Sequence, residues 1–142
     1  MDKEKENTSK SMKFHNPQIN LYVKNVEQSV RYYTSNFGFI ESFRTPKEGT
    51  PIHVELTLDN FILGLALIDS IKEMHGLDVG TGQPRGELVI WTDDVDEVFK
   101  TLTSNDIQGI SKPHTFLGSI RSAWIEDPDK NPIQIVSKVK EN

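Results

Sequence analysis

The strongest constraint on the fold is a turn sequence, Asp127-Pro128-Asp129-Lys130-Asn131-Pro132, that separates two β-prone runs. Pro128 presets φ for a turn position, and Asp127 and Asn131 can bond to nearby backbone or accept a left-handed φ. The runs on either side, residues 123–125 and 133–136, are rich in β-branched and aromatic side chains. We therefore predict two antiparallel strands that this turn holds in one register.

Alternation along the two strands predicts which side chains share a face. Because side chains of a strand alternate between faces, Trp124 and Glu126 point the same way on the first strand. On the second strand Gln134 points opposite to its apolar neighbours, Ile133 and Ile135. One polar residue inside an apolar run predicts a strand that has one face covered by a helix and the other face directed toward a more polar, solvated space.

The first half of the chain predicts a strand, a helix and three further strands. Residues 18–24 alternate polar and apolar side chains, which is typical of a strand with one buried face. Asn25 is placed to cap a helix over residues 26–36 that Gly38 ends. Strands are then predicted over residues 39–45, 52–58 and 61–68.

The same order returns after an irregular connector at residues 69–84, in which one helical turn is expected at 70–75. A strand is predicted from residue 87 to 92, and Asp93-Asp94 caps a helix that reaches about residue 105. Strands follow at residues 110–114, 119–126 and 133–137. The chain therefore predicts an α+β fold of two tandem βαβββ units, at about residues 17–68 and 85–138, within one domain at 14–140.

Two stretches resemble the vicinal oxygen chelate superfamily, which includes glyoxalase I, fosfomycin-resistance enzymes, extradiol dioxygenases and bleomycin-resistance proteins. Residues 127–134 are similar to its Asp-Pro-Asp-Gly-Asn-x-Ile-Glu ending, and residues 19–39 are similar to its opening strand, cap and helix. The resemblance covers residues 17–138. It implies curved mixed sheets around a ligand cleft, helices on the outside, and a homodimer with two equivalent clefts.

The resemblance also assigns the superfamily's metal positions to Gln18, Glu87 and Gln134. Metal-dependent members usually present two histidines and a glutamate there, and none of the four histidines of this chain falls on these positions. One carboxylate and two amides are poor donors for a divalent ion. No metal cofactor is therefore expected, with a divalent metal as the alternative because some glyoxalase I enzymes use glutamine at the first position.

Aromatic and acidic residues are the other candidates for the cleft. Glu87 and Trp91 share a face of one strand, and Trp124 occupies a position that contacts ligand in the fosfomycin-resistance group. His53, together with Glu55 and Thr57 on the same face of its strand, forms a further polar cluster. An acid beside indole rings suits a flat or cationic organic ligand, because the ring quadrupole and the carboxylate both attract positive charge.

Each of these candidates also has a structural interpretation. Trp91 and Trp124 fit equally a core or a dimer interface, and Glu87 fits a solvated or salt-bridged strand residue. Gln18 and Gln134 fit a hydrogen-bonded pair that fills a vacated metal site.

Composition excludes several classes of function. The formal net charge is -5 and the basic residues are scattered, so no surface for nucleic acid is predicted. The absence of cysteine excludes disulfides and thiolate chemistry and is compatible with a cytoplasmic location. No run reaches membrane-spanning length, and residues 1–13 are polar and charged, which predicts a disordered tail.

The sequence thus predicts a small-molecule binding protein of the glyoxalase/bleomycin-resistance type that sequesters a cationic or aromatic compound without a competent metal centre. The alternative is a metal-dependent glyoxalase-like lyase, thiol transferase or dioxygenase. A domain retained for binding a protein partner, with a vestigial cleft, is the third hypothesis.

Overall fold

The computed structural model describes residue 13, residues 15–80 and residues 82–139. The tail predicted at residues 1–13 lies outside the described residues, except for Lys13. The elements are β1 (Ile19–Val23), α1 (Val26–Phe37), β2 (Ile40–Thr45), β3 (His53–Leu58), β4 (Phe61–Leu67), α2 (Ile68–His75), β5 (Leu88–Trp91), α3 (Val95–Ser104), β6 (Gly109–Phe116), β7 (Ile120–Glu126) and β8 (Pro132–Lys138). No helix in this described part is both long and apolar enough to cross a membrane.

Each half of the chain forms one four-stranded sheet. The strand orders are β1-β4-β3-β2 and β5-β8-β7-β6. In both sheets the first strand pairs in parallel with the last, and the other pairs are antiparallel. Because the two halves repeat one topology, the predicted α+β fold of two tandem βαβββ units is confirmed.

Helices α1 and α3 begin at the predicted caps. The Asn25 side chain accepts a hydrogen bond from the Gln28 backbone N at 3.0 Å, and Gly38 ends α1 with a φ of 78°. Asp94 accepts from the Glu97 backbone N at 3.1 Å. Each cap satisfies a backbone donor that the first helical turn would leave unpaired.

Helix α2 is longer than the single turn that the sequence predicted at residues 70–75. It begins directly after β4, so the strand predicted to reach residue 68 ends one residue earlier. Ile68 is half-buried, and a Cβ placed on Gly80 would lie 2.6 Å from its Cδ1 atom. The connector therefore packs against this helix. The helix has only eight residues, and the hydrophobic pattern of so short a segment does not reveal this tertiary contact.

The core lies between the helices and one face of each sheet. Helix α1 buries four side chains, of which Val26, Val30 and Tyr33 are apolar, and α3 buries Val95 and Leu102. The fully buried core side chains include Val23, Tyr33, Val54, Leu56, Leu63, Leu65, Ile125 and Ile133. On β3 and β8 the buried side chains alternate with polar ones such as Glu55 and Gln134, so one face of each of these strands is apolar and the other is polar.

The β7–β8 turn joins the second unit to helix α1 of the first. The Tyr33 hydroxyl donates to Asp127 Oδ2 at 2.7 Å, and the Lys24 backbone N donates to Asp129 Oδ1 at 3.0 Å. Burial and the neighbouring Asp127 charge raise the pKa of Tyr33, so its hydroxyl stays protonated and donates. The turn that dominates the sequence therefore also connects the two units.

Lys130 is the residue of this turn that adopts the left-handed backbone conformation, with a φ of 68°. The resemblance places a glycine at this position, and an L-residue with a side chain is disfavoured there by about 1 kcal/mol. We expect Lys130→Gly to raise the free energy of unfolding by about 0.5–1 kcal/mol, after the extra backbone entropy of glycine is included. Urea denaturation of the purified variant measures this change.

The matched control is Lys100→Gly, because Lys100 is an exposed lysine within helix α3. Glycine inside a helix costs about 1 kcal/mol relative to a good helix former, so the same substitution should destabilise the protein there. Destabilisation at both positions would contradict the assignment of strain to Lys130.

Candidate functional site

A groove opens between the two sheets along the edges of β1 and β5. Within the described residues no backbone hydrogen bond joins these two strands, and each is the edge strand of its sheet. The groove has a volume of about 1210 Å³ and is lined by both strands and by connector residues 82–86. Tyr33, Phe39 and Leu63 give it an apolar floor. We call this space the inter-sheet groove.

The groove carries charges of both signs. Lys24 and Arg85 line it together with three acids, Asp59, Glu87 and Asp129. Burial raises the pKa of the Asp129 carboxyl, while its bond from the Lys24 backbone acts in the opposite direction. The acids outnumber the bases, which favours a ligand with positive charge over an anionic one.

The first unit presents a polar cluster formed by Gln18, Asn20, His53 and Glu55, which we call cluster one. Gln18 Nε2 donates to Glu55 Oε2 at 3.1 Å and to Asn20 Oδ1 at 2.9 Å. His53 Nε2 lies 3.1 Å from the same Glu55 oxygen. Strand register places Gly64 between Asn20 and Glu55, where a Cβ would overlap the Asn20 side chain.

The second unit presents cluster two, formed by Glu87, His114, Ser122, Trp124 and Gln134. Trp124 Nε1 donates to Glu87 Oε1 at 2.8 Å, and the His114 ring stacks on the indole with centroids 5.9 Å apart. Gln134 Nε2 donates to Ser122 Oγ at 3.1 Å. The indole is therefore held edge-on by a carboxylate and covered on one face by an imidazole.

The two clusters follow one plan. In each unit the residue just before the first strand bonds a residue of the third strand: Gln18 bonds Glu55, and Trp124 bonds Glu87. Glu55 pairs with Gly64 in strand register, as Trp124 pairs with Gln134. The same positions thus carry an amide and an acid in one unit, and an acid and an indole in the other.

A family model described as the Glyoxalase/Bleomycin resistance protein/Dioxygenase superfamily matches residues 16–135. The chain belongs to this superfamily. The resemblance drawn from the turn and the opening strand is therefore confirmed. No curated protein matches the sequence significantly.

Solved structures of the superfamily share the fold. A hypothetical protein from S. aureus has a TM-score of 0.73 at 15% identity, and the match covers 89% of this chain and 96% of that one. A glyoxalase/bleomycin resistance protein/dioxygenase from Nocardioides has a TM-score of 0.70 at 18% identity, with 99% and 95% covered. TioX from Micromonospora sp. ML1 has a TM-score of 0.69 at 18% identity, with 88% and 100% covered. At these identities the likeness establishes the fold alone.

The donor set of this chain does not fit the superfamily's metal site. Of the positions assigned from the sequence, Glu87 has the only carboxylate, and one of its oxygens accepts from the Trp124 indole. Gln18 and Gln134 offer amides, which are weak donors to a divalent ion. Among residues 13, 15–80 and 82–139, no group of three or more His, Asp or Glu side chains is placed to hold a metal ion.

The structure brings some of the predicted site residues together and separates others. Glu87 contacts Trp124, whereas Trp91 lies on the β5 edge of the groove with 60% of its surface exposed. Gln18 and Gln134 bond residues of their own sheets rather than each other. The interpretation of these two amides as one hydrogen-bonded pair is therefore wrong.

Three members of the clusters were not predicted as site residues: Asn20, Ser122 and His114. Asn20 and Ser122 do lie on the predicted polar faces of their strands, so alternation carried a signal for both. His114 follows register shifts in the β6–β7 pair. A bulge changes the face on which later residues lie, so no alternation of the sequence assigns His114 to Trp124.

Proposed function

We propose that the protein binds a small organic compound, cationic or aromatic, at cluster two, where Glu87 reaches the inter-sheet groove, and sequesters it as bleomycin-resistance proteins do. The observation that carries this proposal is the bond of 2.8 Å between Trp124 Nε1 and Glu87 Oε1. It fixes a carboxylate against the edge of an indole, and Glu87 also lines the inter-sheet groove. Both the negative ring face and the carboxylate attract a cation.

Exposed aromatic surface along the groove supports the same function. Trp91 is largely exposed and Tyr22 lies on the opposite edge with 38% exposure. Large apolar side chains exposed around a concave space are typical of ligand sites. A flat ligand that stacks on Trp91 removes this surface from water, which contributes about 25 cal/mol per Å² of apolar area.

A metal-dependent enzyme is the second candidate, and cluster one is the observation that favours it. Imidazole and carboxylate are good ligands for a divalent metal, and His53 Nε2 and Glu55 Oε2 are only 3.1 Å apart. Gln18 supplies a third oxygen beside them once its amide is turned. In this form the site is a glyoxalase-like lyase, thiol transferase or dioxygenase centre that needs a further ligand.

Metal content separates the two candidates. We expect the purified protein to contain less than stoichiometric metal by elemental analysis, before and after incubation with Ni, Zn, Mn or Fe ions, because amides replace the superfamily's usual ligands. We also expect a planar aromatic cation, ethidium, to raise the melting temperature in the presence of a chelator. At 100 times its Kd such a ligand stabilises by about 2.7 kcal/mol.

Stoichiometric metal that is lost in His53→Ala or Glu87→Ala would overturn the binding proposal in favour of the enzyme. Absence of any thermal shift from aromatic cations, together with absence of metal, would contradict both candidates and leave binding of a protein partner.

A further inference from the structure

We infer that cluster one is a metal-free hydrolytic site for carboxylic esters, in which His53 activates water and Glu55 orients its imidazole. This inference goes beyond the proposed function and does not depend on it, because ligand binding is assigned to cluster two. It starts from a carboxylate and an imidazole in contact: His53 Nε2 lies 3.1 Å from Glu55 Oε2, and the two side chains are 22% and 26% exposed. A partly buried carboxylate that bonds an imidazole orients a general base in hydrolytic enzymes.

The hydrogen bonds of Glu55 fix the tautomer of the imidazole. An ionised carboxylate only accepts, so the ring nitrogen that bonds it carries the proton. That nitrogen is Nε2, so the lone pair of the neutral His53 ring lies on Nδ1, which no group bonds within the described residues. Gln18 Nε2 donates to the same carboxylate oxygen at 3.1 Å and helps to hold Glu55 in place. His53 Nδ1 is therefore the atom that can accept a proton from water.

Asn20 supplies a donor for the oxyanion that forms when water adds to an ester carbonyl. Its Oδ1 accepts from Gln18 Nε2 at 2.9 Å, which fixes the orientation of the amide and directs Nδ2 away from this bond. In the part of the chain that the structure describes, no group accepts from Nδ2, and Asn20 is exposed to a substrate. A donor directed at a developing oxyanion contributes about 10²-fold to 10³-fold to the rate.

Gly64 brings this amide and the imidazole to one place. It lies on β4 and pairs with Asn20 on one side and with Glu55 on the other. A Cβ on Gly64 would lie 2.9 Å from Asn20 Cγ and 3.1 Å from His53 Cε1. The amide donor and the base therefore lie over the same point of the sheet, which is the arrangement that a base and an oxyanion donor need.

Phe43 gives the cluster an apolar side and favours an ester with an aryl or other large apolar group. It pairs with Glu55 in the β2–β3 register, and its ring centroid lies 6.2 Å from that of His53. The side chain is 48% exposed, so contact with a substrate ring removes apolar surface from water. In cluster two the Glu87 carboxylate bonds an indole rather than an imidazole. Hydrolysis is therefore assigned to the first unit and ligand binding to the second.

The reaction needs only water as a co-reactant. His53 Nδ1 takes one proton from water while the water oxygen bonds the ester carbonyl carbon, and the carbonyl electron pair moves to the oxygen that accepts from Asn20 Nδ2. The tetrahedral intermediate then collapses. The carbonyl forms again, the bond from carbon to the leaving oxygen breaks, and the imidazolium gives its proton to that oxygen. One ester and one water molecule yield one carboxylic acid and one alcohol or phenol.

The test measures hydrolysis of p-nitrophenyl acetate by the full-length protein in the presence of a chelator. Since a positioned general base contributes about 10²-fold to 10⁴-fold, kcat/KM should exceed the rate constant of free imidazole by about 100-fold or more, and His53→Ala should lower it about 100-fold. Glu55→Gln should lower kcat about 10-fold and keep KM within about 2-fold, because an amide no longer fixes the tautomer but does not change ester binding.

His75→Ala is the matched control, because His75 is an exposed histidine at the end of α2. It should keep kcat/KM within about 2-fold, and the melting temperature of each variant should stay within about 3 °C of the wild-type value. If His53→Ala unfolds, His53→Gln takes its place with the same expected loss, because the glutamine amide can still donate to Glu55 but is not a base.

Four outcomes would overturn the inference. The first is a wild-type rate no greater than that of free imidazole, and the second is equal rates of the wild-type protein and the folded His53 variant. Equal losses in the His53 and His75 variants would mean that exposed histidines in general react with the ester. Activity that is absent with the chelator and returns with zinc would mean that a metal centre, rather than the imidazole and carboxylate pair, carries the reaction.

Discussion

Asp127→Ala is expected to lower the free energy of unfolding by about 3–4 kcal/mol, which corresponds to a fall in melting temperature of about 10 °C or more. The Asp127 side chain is 4% exposed and accepts four hydrogen bonds: from Tyr33 Oη, from the backbone N of Asp129 and of Asn131, and from Asn131 Nδ2. Alanine leaves these donors without their acceptor in a site that water reaches poorly. Urea denaturation and thermal melting of the purified variant measure the loss.

Two further variants separate the network from a general effect of losing an acid. Asp93→Ala removes an exposed aspartate outside the network, and it should change stability by less than about 0.5 kcal/mol. Tyr33→Phe removes one donor but keeps the ring, so it should cost only about 1–2 kcal/mol. A loss of under about 1 kcal/mol for Asp127→Ala would contradict the role of this carboxylate in joining the two units.

Local signals in the sequence predicted most of the fold because the physics of caps and turns is local. Asn25 and Asp94 cap their helices through bonds to residues three positions later, a distance that sequence spacing reads directly. The turn at Asp127 bonds within five residues. Lys130 is an exception within that turn: it adopts the left-handed φ that the sequence suggested for Asp127 or Asn131. The register of the β7–β8 hairpin therefore decides which residue of the turn adopts the left-handed φ, and the preference of each residue type for that conformation does not.

The candidate site was harder to predict because its contacts join distant strands. Gln18 bonds Glu55 across β4, which lies between β1 and β3. This contact is possible because β4 carries a glycine, without a side chain, at the position that pairs with Glu55. The resemblance placed Gln18, Glu87 and Gln134 on the sheet faces, but it did not provide their partners. Trp124 was named from its position in the superfamily, and its bond to Glu87 required the β5-β8-β7 order.

The inter-sheet groove depends on the relative placement of two sheets, which no periodicity encodes. One feature of the sequence does distinguish the two strands that border the groove. β1 and β5 are free of charge and proline, while β2 and β6 are not. This contrast has meaning only after the strand order identifies all four as edge strands.

Trp124→Ala is expected to weaken binding of ethidium by about 30-fold, or about 2 kcal/mol, as measured by calorimetric titration. The substitution removes the ring that the Glu87 carboxylate and the His114 imidazole hold in place. Glu87→Gln should weaken the same cation about 10-fold, because it removes the charge while its amide oxygen still accepts from the indole.

A neutral aromatic probe, naphthalene methanol, separates the contribution of the Trp124 ring from that of the Glu87 charge. Its affinity should fall in Trp124→Ala but stay within about 2-fold in Glu87→Gln, since only the cation depends on the carboxylate. Glu97→Gln is the matched control, because Glu97 is an exposed acid in the first turn of α3 and does not line the groove. Equal loss of cation affinity in Glu87→Gln and Glu97→Gln would mean that the net charge of the protein, rather than a carboxylate fixed beside an indole, attracts the ligand.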